Sequence, residues 1–171
     1  MAHDFKKILF TTDLSQSSKE VFDYAASLAL KSNATILILH VIEDEESRTK
    51  DLIVDMIGND AYRKIQQENE TYARTVLLGK QTQAPIIRQA LEKLGQTAPT
   101  RENQKELIEG VAVRMGRIVE EILAMSEEEK CDLIVMGHHQ RSMLTKIRVG
   151  RTIRGVLAKS KKPVFLVPLD S

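Results

Sequence analysis

The stretch Cys131-Asp132-Leu133-Ile134-Val135-Met136-Gly137-His138-His139-Gln140 decides the fold. Leu133 to Met136 is apolar without interruption and runs straight into a glycine. A surface helix would space its apolar residues three and four apart. A short unbroken run that ends at a glycine is instead a strand covered on both faces, as in a parallel sheet. We read a buried strand over 132–136 that ends at Gly137, then a basic loop from His138 to Val149. Residues 150–159 follow as a helix with Ile153, Val156 and Leu157 on one side. Pro163–Leu169 is again apolar and forms the last strand.

The same grammar recurs upstream. Lys6–Thr12 is short and apolar and ends in Asp13-Leu14-Ser15, a strand followed by a turn. Ser15 is a suitable N-cap for a helix from about Gln16. Val21, Ala25, Leu28 and Ala29 share one face of it, with Phe22 and Ala26 beside them, and it stops near Lys31-Ser32-Asn33. Ala34–Val41 is a second unbroken apolar run. Leu107–Met115 is a third strand, interrupted by Gly110, and Arg117–Glu127 an amphipathic helix. Strands alternating with helices give an open parallel sheet with right-handed crossovers. Between the second and third strands, 44–105 contains helix-prone stretches at 51–78 and 85–94. Its apolar residues are too few for an independent core of that length. It is expected to be a helical insertion within one domain spanning 1–171.

Composition narrows the function. A chain of 171 residues with 42% apolar and 29% charged residues folds without disulfides or structural metal. The single cysteine, Cys131, rules out an intrachain disulfide; it is expected to pack as a small hydrophobe. No apolar run reaches the length of a membrane span, and the first residues lack a signal-peptide core. A cytoplasmic protein without a membrane partner is expected. Net charge is only +1, yet Leu133–Leu169 holds eight basic residues and no acidic one, leaving 17 basic and 24 acidic elsewhere. Such a segment suits an anionic partner or forms a solvated basic face. A near-neutral chain with no tryptophan and 4% aromatics is a poor fit to nucleic acid. Neither a Walker A loop nor a Gly-x-Gly-x-x-Gly loop is present, and no Ser-His-Asp or Cys-His spacing stands out. The expected protein is not an enzyme.

In an open parallel sheet, ligands bind beyond the carboxyl ends of the strands. Asp13, Val41, Gly137 and the basic loop mark those ends. Gly150 then opens a helix, where free N–H groups and the helix dipole favour an anion. Arg151 adds a fork of donors suited to phosphate. His138 and His139 admit a metal or proton-shuttle reading, but neighbours in a strand-end loop point apart.

Four segments together resemble the universal stress protein A (UspA) family: Lys-Ile-Leu-Phe-Thr-Thr-Asp-Leu-Ser at 7–15, Ile-Leu-His-Val at 38–41, the 131–139 stretch, and Pro-Val-Phe-Leu-Val-Pro at 163–168. The resemblance covers 5–43 and about 107–169; 44–105 is longer than the family's usual second connection. It implies a five-stranded, Rossmann-like fold of the adenine nucleotide alpha hydrolase kind, with no established catalytic chemistry. It also implies a homodimer through strand 163–169. Nucleotide-binding members carry Gly-x-x-Gly, nine residues, then Gly-Ser/Thr. Here Gly137-His138-His139-Gln140 is followed by nine residues and Gly150-Arg151-Thr152. Gln140 replaces the second glycine and Arg151 the hydroxyl residue. The Gly-His-His-Gln variant is similar to a branch in which ATP binding is not expected, although that branch generally also loses the later glycine kept here.

The resemblance therefore implies an ATP or AMP site drawn from Thr12, Asp13, Val41, Gly137, His138, Gln140, Gly150, Arg151 and Thr152. Each has a structural alternative. Asp13 is a helix-entry turn residue, Val41 ordinary core, and the glycines serve tight strand-to-helix geometry. No ligand set for an accompanying divalent metal is identified. Three functions stay open: a nucleotide-sensing dimer, a dimeric interaction protein with a vestigial pocket, and a slow ATP hydrolase.

Overall fold

The computed structural model describes residues 4–43, 60, 87–98, 106–139 and 150–169. The described strands are β1 (Lys7–Thr11), β2 (Thr35–Glu43), β3 (Ile108–Gly116), β4 (Leu133–His139) and β5 (Val164–Leu169). They form one sheet in the order β3-β2-β1-β4-β5, every pair parallel. The expected open parallel five-stranded sheet is therefore present. Helix α1 spans Ser18–Ser32, residues 87–96 are helical (α2), α3 spans Ile118–Glu128 and α4 Arg151–Lys159. The helical region between β2 and β3 is seen in α2 and at Asp60; the rest of 44–105 lies outside the described residues.

Unbroken apolar strands are explained by two cores. Successive side chains point to opposite faces. Ile8, Phe10, Ile36, Ile38, Leu133 and Val135 pack on one face with Val21, Phe22, Ala25 and Ala29 of α1 and Leu91 of α2. Leu9, Leu37, Leu39, Ile134 and Met136 pack on the other with Ile122 and Met125 of α3 and Ile153 and Val156 of α4. Cys131 is fully buried in this second core. Burial pushes its thiol up to about 11, so it packs rather than reacts.

Two boundaries and the interior of one strand depart from the sequence reading. Helix α1 begins at Ser18 rather than near Gln16. Leu14 takes a left-handed φ of 65°, Ser15 donates its N–H to Asp13 Oδ1 at 2.9 Å, and Ser18 donates its N–H to the Ser15 carbonyl. The chain thus spends Leu14–Ser17 in turns before it can wind. The helix stops as read: Asn33 adopts φ 54°, and Ala34 donates its N–H to the Ala29 carbonyl. In β3, Leu37 faces Gly110 while Ile36 faces Ile108, a bulge at the glycine that interrupts the run.

The third difference bears on function. β4 does not end at Gly137; it continues through His138 and His139, paired with Val167, Pro168 and Leu169. The apolar run stops sooner than the hydrogen-bond ladder because the last turn of strand looks into a cleft rather than into the core.

At the opposite end of the sheet, Asp132 Oδ2 accepts the N–H groups of Lys6 and Lys7 at 2.8 and 3.0 Å. Lys7 Nζ reaches Glu109 at 2.5 Å and Glu129 at 3.5 Å. These bonds tie β1, β3 and β4 together far from the cleft. Among the described residues no helix is long and apolar enough to cross a membrane.

Candidate functional site

The chain leaves β1 outward through β2 to β3 and returns to β4 on β1's other side. Connections that depart in opposite directions open a crevice beyond the carboxyl ends of β1 and β4. A cleft of about 1310 Å³ lies there. Eight of the nine residues singled out in the sequence line it: Thr12, Asp13, Val41, Gly137, His138, Gly150, Arg151 and Thr152. Gln140 lies outside the described residues.

One wall is the turn after β1. Thr12 is nearly buried and its N–H donates to the Leu39 carbonyl at 3.0 Å. Its hydroxyl donates to Ser18 Oγ at 2.7 Å and accepts the Leu14 N–H at 3.0 Å. Ser18 Oγ in turn donates to Asp13 Oδ1 at 3.3 Å. His40, at the end of β2, lies with Nδ1 2.8 Å from the Thr12 carbonyl oxygen. A carbonyl only accepts, so it is Nδ1–H that donates in this contact. Desolvation works against the Asp13 carboxylate, but hydrogen bonds from Ser15 and His139 outweigh it and hold the group below the usual carboxylate range. Asp13 is therefore ionised at neutral pH.

The second wall is the end of β4. At Gly137 an added Cβ would lie 2.8 Å from Val21 Cγ2 and 2.9 Å from Leu169 Cδ1. This glycine is required by the packing of β4 against α1 and β5, whether or not a ligand binds. His138 is half-buried opposite Pro168. His139 points elsewhere: its Nε2 stands 3.4 Å from Asp13 Oδ2. The two histidines are thus split, and among the described residues no three His, Cys, Asp or Glu side chains cluster as metal ligands.

The third wall is the start of α4. Gly150 is its N-cap, at φ −55° and ψ 157°. Any residue adopts such angles, and no described atom lies within 4 Å of where its Cβ would be. Among the described residues, neither strain nor packing explains this glycine. The first intrahelical bond runs from the Arg154 N–H to the Gly150 carbonyl at 3.0 Å. The N–H groups before it have no place in the helical ladder, and among the described residues no side chain caps them. The first turn carries Arg151 and Arg154 and no acid. Both arginines line the cleft, while Ile118, Ile122, Met136 and Ile153 supply apolar lining. Val41 is 8% exposed and belongs to the second core, as its alternative reading held.

Sequence reasoning missed four contributors. His40 was visible as the one ionisable residue in the apolar run 34–41. His139 sits two residues after Gly137, hence on the same face of the extended β4. Ser18 is hidden in the first turn of a helix, where serine is unremarkable. Arg154 follows Arg151 by three, which places both on one helical side.

Comparison with known proteins accords with this geometry. A model described as the universal stress protein family matches residues 4–168. The chain belongs to that family. Universal stress protein MJ0577 of Methanocaldococcus jannaschii is 27% identical to it over 169 residues, 95% of this chain and 94% of that one. Universal stress protein A homolog 1 of Coxiella burnetii is 28% identical over 143 residues, covering 84% and 83%. Among solved structures, MJ0577 superposes with a TM-score of 0.57 at 24% identity, covering 99% of both chains. A universal stress protein in complex with cAMP gives 0.55 at 21% identity, covering 97% and 98%. At these identities the superpositions speak for the fold.

Proposed function

We propose that this universal stress protein is a non-catalytic regulatory module that binds an adenine nucleotide, ATP or AMP, in the crevice between β1, β4 and α4, and acts as a homodimer paired through β5. The observation that carries the reading is the start of α4. Among the described residues no atom crowds Gly150 and no side chain caps the N–H groups that follow it, and Arg151 and Arg154 line the same cleft. Uncapped helix N-termini flanked by guanidiniums suit phosphate. The apolar lining suits a base. A relative of the same fold was solved in complex with cAMP, which supports a nucleotide of this size.

Asp13 and His40 are both engaged in holding the Thr12 turn, which favours binding over chemistry. The cytoplasm is the compartment we propose, since the one cysteine is buried and unpaired. A second reading, an interaction protein with a vestigial pocket, is favoured by Gly137 alone: this motif glycine is already accounted for by packing. Calorimetric titration with AMP, ATP and cyclic AMP, with and without magnesium or manganese, separates the two. Micromolar to sub-millimolar binding supports the first; no binding at millimolar ligand leaves the second.

A further inference from the structure

Resting on the nucleotide-binding reading, we infer that His40 is a positioning residue of the cleft: by taking the Thr12 carbonyl it ends the β1–β2 ladder one bond early and holds the backbone N–H of Val41 open to the edge of the ligand's base.

The ladder fixes what each backbone group would do. β1 and β2 run parallel, from Lys7 opposite Thr35 to Thr11 opposite Leu39. The Thr35 N–H donates to the Lys6 carbonyl at 2.9 Å, and the Thr12 N–H donates to the Leu39 carbonyl at 3.0 Å. The Ile36 N–H turns the other way and donates to the Leu107 carbonyl beside β3. In a parallel strand the N–H and C=O of one residue point to the same side, and successive residues alternate. Thr35, Leu37, Leu39 and Val41 therefore address β1. One further step of the pattern would give the Val41 N–H to the Thr12 carbonyl and the Leu14 N–H to the Val41 carbonyl.

Among the described residues neither bond is made, and side chains stand in both places. His40 Nδ1–H donates to the Thr12 carbonyl at 2.8 Å, and the Leu14 N–H donates to Thr12 Oγ1 at 3.0 Å. Leu14, at φ 65°, carries the chain away from β2. An aliphatic residue at 40 would pack as Ile36 and Ile38 do, but it would leave the Thr12 carbonyl to draw in the Val41 N–H. Val41 itself lines the cleft, while its side chain is anchored in the second core. One donor and one acceptor are thus held side by side, facing the space that β1 vacates. An adenine edge presents the complement, a ring-nitrogen acceptor beside an amino donor. Hypoxanthine presents the reverse, a ring N–H beside a carbonyl. A site built on such bonds rejects the mismatched base because its own polar groups are left unpaired.

The test uses the full chain, His40→Leu and His40→Asn, whose amide N–H stands close to the place of Nδ1. Amide hydrogen exchange reads the ladder without any ligand. In the parent the Val41 N–H should exchange faster than that of Leu39, two residues earlier on the same side of β2. It should slow when AMP is added. In His40→Leu it should be slow already, because Thr12 reclaims it. Calorimetry with AMP and IMP reads the consequence. His40→Leu should bind AMP about tenfold more weakly and lose its preference over IMP, while His40→Asn should stay within about threefold of the parent. A Val41 N–H as protected as that of Leu39 in the free parent overturns the inference, and this arm needs no variant to fold. His40→Leu binding AMP and IMP as the parent does also overturns it and leaves the nucleotide reading standing. Failure of ATP, AMP and cyclic AMP to bind the parent overturns the nucleotide reading and this inference with it.

Discussion

His139 Nε2 stands 3.4 Å from Asp13 Oδ2, joining the last residue of β4 to the turn that follows β1. These residues are 126 positions apart in the chain. They meet because β1 and β4 are neighbours in the sheet, in the register Ile8–Leu133, Leu9–Ile134 and Phe10–Val135. Their contact closes one side of the switch-point crevice.

Asp13 makes stability depend on pH in a defined direction. Its folded carboxyl is held below its ordinary value, so the stability it confers is present above the unfolded pKa of about 4 and is lost as pH falls through the folded value. The side chain is 63% exposed, so solvent screening limits the effect to about 0.5–1 kcal/mol. Asp13→Asn should be less stable than the parent by about that much at pH 7. The difference should shrink as pH falls from about 4 to about 3. Urea denaturation at the two pH values measures it; an equal gap at both would show that the carboxylate charge is irrelevant.

Gly137 and Gly150 are predicted to fail in different ways. Gly137→Ala forces a methyl against Val21 and Leu169 and should destabilise the fold by about 1–3 kcal/mol. Gly150→Asp meets no described atom, and aspartate is at least as good an N-cap as glycine, so stability should hold or rise slightly. Its carboxylate stands where phosphate charge must sit, so nucleotide binding should weaken by about 1–3 kcal/mol. Thermal melts and ligand titrations on the same two proteins check the contrast. A destabilised Gly150→Asp that still bound normally would reverse the assignment.

The arginines and Gln140 give a graded test. Arg151→Ala and Arg154→Ala should each weaken AMP binding by about 1–3 kcal/mol, the scale of a charge-assisted hydrogen bond, with little change in melting temperature. Gln140→Gly asks whether the missing motif glycine matters. Tighter binding than the parent means that the glutamine obstructs the phosphates; equal binding means that the cleft is already competent.

Most of the fold was legible because burial on both faces erases alternation. Runs such as Ile36–Leu39 and Leu133–Met136 admit few readings other than interior parallel strands. Ends were less legible. β4 outlasts its apolar run because the ladder needs only backbone, so His138 and His139 read as loop although they are strand. Helix α1 starts late because Ser15 is diverted to the Asp13 carboxylate, a competition between two adjacent caps that composition does not resolve. For the site, eight of the nine residues implied by the family resemblance line the cleft. Their roles were not legible. Gly137 and Gly150 look alike in a motif, but only the coordinates of Val21 and Leu169 show that one is filled around and the other open. His40 was passed over because its partner is a backbone carbonyl, which leaves no trace in side-chain spacing.

Cys131 should be unreactive in the folded chain. It is fully buried and its thiol is pushed up to about 11, so at pH 8 only about one molecule in a thousand carries the thiolate. Labelling with a thiol reagent should be slow in buffer and fast in denaturant. Fast native labelling would mean that the second core opens locally around β4 far more often than its packing suggests.

The final prediction concerns the edge of the sheet. Among the described residues β5 is paired on one side only, by β4, and is the terminal strand of the order. It carries Phe165, 37% exposed, whose ring lies 6.5 Å from that of Tyr24, itself 49% exposed. An apolar, unguarded edge invites a second strand, and a twofold copy of β5 satisfies both backbones at once. Pro168 has no N–H and limits the ladder at the far end. Sedimentation equilibrium at micromolar concentration should therefore return about twice the 19.3 kDa of the single chain. Phe165→Lys places a charge on that edge, the device by which natural edge strands avoid pairing, and should shift the equilibrium toward monomer. Because Phe165 is partly exposed already, the variant should keep its melting transition at low concentration. A parent that sediments as a monomer would remove the dimer; a parent dimer unchanged by Phe165→Lys would place its interface away from β5.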